Sequence, residues 1–254
     1  MVSIYHKTKE SVFFETIRKI IVMCFPCYNF TMSNLNFLPW VGKNYAQGLF
    51  QNNLKLLVLG ESHYCHDLGY GNCPSCSLEN CHKLGYSTAD FQNQTVNYIS
   101  ELIYAYNGAQ YHQTGLCFER AVMGKTLTQP EREDFWNRVI FYNFVQKCLP
   151  KNDGKRTPIT KDDLVGAEEA FREILTTYKP DKVVVWGSRL FNILPDWDGE
   201  YSKITIEDGA QTDIWTYKID GKSIPCMKVH HPSTPSGKSW QHWHKFYKEF
   251  LQLV

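Results

Sequence analysis

Short apolar runs alternating with stretches of helical periodicity set the first expectation for this chain. Residues 55–59 (KLLVL), 139–145 (VIFYNFV), 182–186 (KVVVW) and 224–229 (IPCMKV) are brief and rich in branched or aromatic side chains, as buried strands are. Between the first two, Val96, Ile99, Leu102, Ile103 and Tyr106 recur on one face of a helix that Ser87 or Thr88 can cap and that Asn107 and Gly108 end. Pro130 and the acidic stretch 131–134 open a second helix. Residues 163–178 carry Leu164, Phe171, Ile174, Leu175 and Tyr178 at helical spacing until Pro180 stops them. Residues 201–206 and 214–219 alternate like a hairpin, and an aromatic helix over 239–253 closes the pattern.

Strands separated by helices predict an α/β fold with a mainly parallel sheet covered on both faces. Such sheets bind ligands outside the carboxyl ends of their strands. Three places are thereby singled out: residues 60–64, the polar Asn143 inside an apolar strand, and residues 230–236.

Composition narrows the class. With 254 residues and 43% hydrophobic content, one globular domain is expected over 34–254, preceded by a basic, Ser/Thr-containing extension over 1–33. The apolar segment 20–25 falls well short of the ~20 residues that cross a bilayer, so no membrane association is expected. A net charge of +1 offers no global attraction for nucleic acid, so any such affinity depends on local placement. Nine cysteines, an odd number in a chain too large to need staples, predict a reducing, cytoplasmic setting.

Residues 61–86 show little apolar periodicity but many Gly, Cys, His and Asn. A loop of that length is usually functional. Cys65, Cys73, Cys76 and Cys81 lie within it, and the x-x spacing of Cys73 and Cys76 lets two thiolates grip one ion. His66 and His82 are spare ligands, and a structural zinc would order the segment. Free cysteines are the bland reading. An iron-sulfur cluster is the competing one, with Cys24 and Cys27 as its x-x pair, although Cys117, Cys148 and Cys226 stand far apart.

In order along the chain, GESHY after the first strand, FYNF within the second, VWG ending the third and HPSTPS after the fourth resemble the motifs of the uracil-DNA glycosylase superfamily. The resemblance spans roughly residues 54–250. It implies a three-layer α/β/α sandwich around a four-stranded sheet, and a monomer that flips a base out of DNA and hydrolyses its bond to deoxyribose. It also assigns residues. Glu61 stands where the classical enzyme has glutamine and where iron-sulfur members have Glu, and Ser62 stands at the place of the classical water-activating aspartate. Asn143 reads the base edge, Tyr64 walls the pocket and His63 replaces a proline beside it. His231 faces the departing base, while Ser188, Ser233, Thr234, Ser236 and Lys238 contact the backbone. Pro235 occupies the position of the usual leucine wedge, leaving Trp240 as a substitute or no wedge at all.

The residue types suit the reaction. Breaking an N-glycosidic bond develops positive charge on the sugar and negative charge on the base. A carboxylate at Glu61 can steady the first and orient a water, and an imidazole at His231 can donate to the second. The amide of Asn143 offers one acceptor and two donors to a pyrimidine edge. Taken singly, Glu61 is a solvated loop acid, His231 a histidine satisfied by backbone and Asn143 a buried amide bonded to its neighbours. The His63 replacement argues against uracil and, with the shifted acid, points toward a modified or damaged base such as modified cytosine in foreign DNA. The substrate thus stays open between uracil and a modified pyrimidine, in repair or in defence against modified foreign DNA. Two other classes stay open: a non-catalytic nucleic-acid binder of the same fold, and a zinc-dependent hydrolase with Glu61, His63 and Cys65 on a catalytic metal.

Overall fold

The computed structural model describes residues 35–65, 92–152, 155–156, 158–233 and 239–252. All belong to one unit, Asn34–Val254. Four strands form its centre: β2 (Leu56–Gly60), β4 (Val139–Asn143), β7 (Lys182–Trp186) and β10 (Lys222–Val229). They run parallel in the spatial order β4-β2-β7-β10. Antiparallel strands extend both sides, β1 (Trp40–Val41) beside β4, and β9 (Gln211–Ile219) then β8 (Gly199–Thr205) beyond β10. The sheet is thus mixed and seven-stranded, where four strands were expected. The 201–206 and 214–219 hairpin joins it edge-on, and β1 is too short to carry a periodic signal.

Alternation sorts the strand residues onto two faces. Leu56, Val58, Val139, Phe141, Val184, Trp186, Met227 and Val229 share one core cluster. Over it lie α1 (Gln94–Tyr104), α2 (Gln113–Met123), α3 (Gln129–Trp136) and α6 (Trp240–Leu251), whose buried residues include Ile99, Phe118, Trp136 and Tyr247. Leu57, Leu59, Val183 and Val185 point the other way, toward α4 (Ala167–Tyr178), whose Phe171 ring meets Phe144 at 5.7 Å and Tyr217 at 5.9 Å. Helices therefore cover both faces.

Local chemistry explains the helix ends. Thr128 and Glu131 close a capping box at the start of α3, with Pro130 in its first turn. Gly124 ends α2 in the left-handed conformation. Between α2 and α3 lies a buried ion pair: Arg132 Nε donates to Glu119 at 2.9 and 3.2 Å, and Trp136 Nε1 donates to Glu119 Oε2 at 2.9 Å. Burial pushes the Glu119 carboxyl up, against these stabilising donors.

The outer edge of the sheet is dressed differently. On β8, Glu200 pairs with Lys218 at 3.1 Å and exposed Tyr201 donates to Asp213 at 2.5 Å.

His112 is fully buried before α2, its ring packed between Tyr98, Tyr106 and Tyr111. Glu101 stands 3.9 Å from its Nε2, beyond hydrogen-bond reach, and desolvation followed by the Arg132 charge lowers its pKa from 6.5 to about 4. An unfolded chain accepts this proton below pH 6.5, whereas the folded one refuses it until about pH 4. Stability is therefore lost as pH falls across that window. His112→Phe should make the acid-side decline in melting temperature shallower between those limits, and thermal melts across the range check it.

Candidate active site

The parallel ladder between β2 and β4 continues past the end of both strands. Gly60 O accepts from Phe144 N at 3.0 Å and Glu61 O from Val145 N at 2.9 Å. Two loops leaving neighbouring strands are thus tied backbone to backbone, which holds Glu61 beside Asn143. The segment read as open loop then forms β3 (His63–Cys65), paired in parallel with β5 (Cys148–Asn152), with His63 opposite Cys148, and β6 (Lys155–Arg156) pairs antiparallel with β5.

Glu61 is only 8% exposed, and its carboxylate accepts from two neighbouring side chains. Arg189 donates from Nε to Oε2 at 2.7 Å and from its terminal Nη2 to Oε1, while the Tyr64 hydroxyl donates to Oε1 at 3.1 Å. This fork-to-fork pairing suits a guanidinium. The Arg189 side chain keeps 41% of its surface accessible, so the pair opens to solvent from the arginine side. Hydrogen bonding to Glu61 pushes the guanidinium pKa up.

Arg189 comes from α5 (Ser188–Phe191), the short helix that follows β7. The turn into it runs through Gly187 at φ +106°, a conformation L side chains rarely adopt. Gly187 N donates to Val229 O at 2.9 Å, joining the ends of β7 and β10. A Cβ built on Gly187 would lie 3.7 Å from that of His231. His231, half-buried, sets the edge of its ring against Trp186 at 6.2 Å and its Nδ1 at 2.9 Å from Ser233 Oγ. When the Ser233 hydroxyl donates, the ring proton resides on Nε2.

Asn143 is 6% exposed. Its Nδ2 lies 3.1 Å from His63 Nε2, the same nitrogen that Thr95 Oγ1 approaches to 2.8 Å. Phe37 packs edge-on against the His63 ring at 4.7 Å, and desolvation lowers the His63 pKa to about 4, keeping the imidazole neutral. Gln146 donates from Nε2 to Asn143 O at 2.9 Å and accepts from the backbone of Asn36 and Phe37 at 3.0 and 3.2 Å. The preceding chain thereby buttresses the strand end.

Glu61, Ser62, His63, Tyr64, Asn143, Ser188 and His231 thus lie on segments leaving the same end of the sheet. Ser62 Oγ is buried with no hydrogen-bond partner among the described residues. Ser188 and Ser233 are exposed, whereas Trp240 is partly buried against the core at the start of α6. Thr234, Ser236 and Lys238 lie outside the described residues, as do Cys73, Cys76 and Cys81 and the side chain of Cys65. Cys117 and Cys226 are free thiols, and among the described residues no group of three or more His, Cys, Asp or Glu gathers as metal ligands do. No described helix is long and apolar enough to cross a membrane.

Arg189 is the residue that sequence reasoning passed over. Its only signal was a cation two positions after the glycine that ends a strand, in VWGSRLF.

Comparison with protein-family models and with curated proteins gives no match for this chain. The functional reading therefore rests on its motifs and on this geometry.

Gly60 is required by close approach, because a Cβ there would stand 2.2 Å from Asn143 Oδ1. Gly60→Ala should lower unfolding free energy by about 1–3 kcal/mol, as overpacking does. Adding Asn143→Ala should return much of that loss, a coupling that urea denaturation of the two single variants and the double variant measures.

Proposed function

We propose that this chain is a DNA glycosylase that hydrolyses the N-glycosidic bond of a flipped uracil or modified pyrimidine and leaves an abasic site. One observation carries the reading: Glu61, Asn143 and His231 leave three different parallel strands at one end of the sheet, around the point where strand order reverses. In such sheets the crevice at the reversal, here between β2 and β7, is the usual ligand site. The Glu61–Arg189 pair spans it.

The inner strands occur in the spatial order second, first, third, fourth, with helices on both faces, which supports a uracil-DNA glycosylase-like sandwich as the finer description of the fold. Roles follow from chemistry. Glu61, held by Arg189 and Tyr64, stabilises positive charge on the sugar and orients the attacking water. His231 donates from Nε2 to the base oxygen as it becomes anionic. Asn143 reads the Watson-Crick edge, and Tyr64, tied to Glu61 by its hydroxyl, closes the pocket. Ser188 and Ser233, exposed on the flanking turns, suit phosphate contacts with the strand. With a net charge of +1, such contacts are few and local. Cys65, Cys73, Cys76 and Cys81 keep their reading as a structural zinc site on spacing alone.

The test is incubation with oligonucleotides carrying uracil or altered pyrimidines, followed by alkaline cleavage at abasic sites. Glu61→Gln and Asn143→Ala should each abolish strand cleavage, and His231→Ala should slow it by about a hundredfold or more. Full activity in both of the first two variants overturns the assignment. Activity that survives a strong chelator separates this chemistry from a metal-dependent hydrolase, and binding without any cleavage favours a non-catalytic binder.

A further inference from the structure

We infer that His63 is a specificity-determining residue that acts through Asn143, fixing which way round the asparagine amide faces the base. The inference rests on the glycosylase reading and names the part of that site that chooses between pyrimidines.

An amide nitrogen can only donate, so the 3.1 Å approach of Asn143 Nδ2 to His63 Nε2 requires that this ring nitrogen carry a lone pair. The proton of the neutral ring is then on Nδ1. The Thr95 hydroxyl, 2.8 Å from the same Nε2, donates as well, and the edge contact with Phe37 holds the ring plane. His63 therefore presents an acceptor, and only an acceptor, to the amide.

That polarity matters because an asparagine amide is nearly symmetric in shape and opposite in hydrogen bonding at its two ends. Turned by half a rotation, it would place a donor where an acceptor stood. With Nδ2 committed to His63, the amide keeps Oδ1 over Gly60. A turned amide would set Oδ1 against the His63 lone pair unless the ring proton moved from Nδ1 to Nε2, so the tautomer of His63 and the orientation of the amide are locked together in a largely buried site.

A 4-oxo pyrimidine presents an acceptor at O4 and a donor at N3, and a 4-amino pyrimidine presents the reverse. Paired recognition by a fixed amide accepts one of these patterns and leaves the other mismatched. His63 thus stands behind the reading residue and need not touch the base.

Oligonucleotides identical except for one uracil, 5-hydroxymethyluracil, cytosine or 5-hydroxymethylcytosine supply the probes. The full-length wild type should favour the 4-oxo or the 4-amino pair. His63→Phe, which keeps a ring but removes the acceptor, should shrink that ratio of kcat/KM by roughly tenfold or more, mainly by raising activity on the disfavoured pair relative to the favoured one. His63→Gln can turn its own carbonyl to Asn143 and should retain most of the ratio. A parallel fall on all four substrates in His63→Phe, with the ratio unchanged, overturns the proposal and leaves the glycosylase reading standing. No excision of any base by the wild type removes both. The tautomer provides a check independent of activity, and it holds even if His63→Phe fails to fold. Nitrogen–proton correlation spectra of the wild-type histidine rings should show His63 protonated at Nδ1 and bare at Nε2, and a proton on Nε2 sinks the proposal.

Discussion

The backbone tie between the ends of β2 and β4 is the constraint on which the candidate site depends. Side chains at the mouth of a parallel sheet are only as well placed as the loops that carry them. Here two hydrogen bonds beyond the strands carry the ladder into those loops. They determine where Glu61 begins relative to Asn143, before any side-chain interaction is considered. The pairing of β3 with β5 continues the same principle one step further out and carries His63 to Asn143. Groups built on extended backbone in this way lose less on binding than groups on free loops.

Electrostatics divides the site into two halves. On one side, a nearly buried carboxylate is compensated by a guanidinium and a phenol, and removing a partner from such a group leaves a charge that burial penalises. On the other, a neutral imidazole, an amide and a hydroxyl share hydrogen bonds without any net charge. Under the proposed glycosylase reading, the charged half would face the charges that develop along the glycosidic bond and the neutral half the base edge, which supplies only dipoles.

The strands were the legible part of the sequence. The runs at 55–59, 139–145 and 182–186 coincide with β2, β4 and β7 to within two residues at each end, because strands buried on both faces are apolar throughout. The face Val96, Ile99, Leu102 and Ile103 is buried in α1, as its spacing predicts, whereas Tyr106 falls beyond the helix and is exposed. Helix α2 escaped notice for a physical reason. Its buried side includes Gly115 and Glu119, and a carboxylate satisfied by Arg132 and Trp136 looks, in sequence, like a solvated residue. Strands β3 and β5 were hidden because HYC and CLPKN pair through backbone and lack an alternating pattern. At the site, motif order brought out Glu61, Asn143 and His231, but nothing in a linear pattern distinguishes Arg189 from any other surface cation.

The dressed edge of the sheet has a consequence of its own. An unpaired outer strand offers a row of bare amides and carbonyls to any extended peptide that drifts alongside. Along β8, Glu200, Tyr201 and Lys203 are exposed, with Glu200 and Tyr201 anchored to Lys218 and Asp213 on the neighbouring strand. Exposed charges of both signs, Glu200 and Lys203, discourage strand addition from outside, so among the described residues the sheet ends where the hairpin ends.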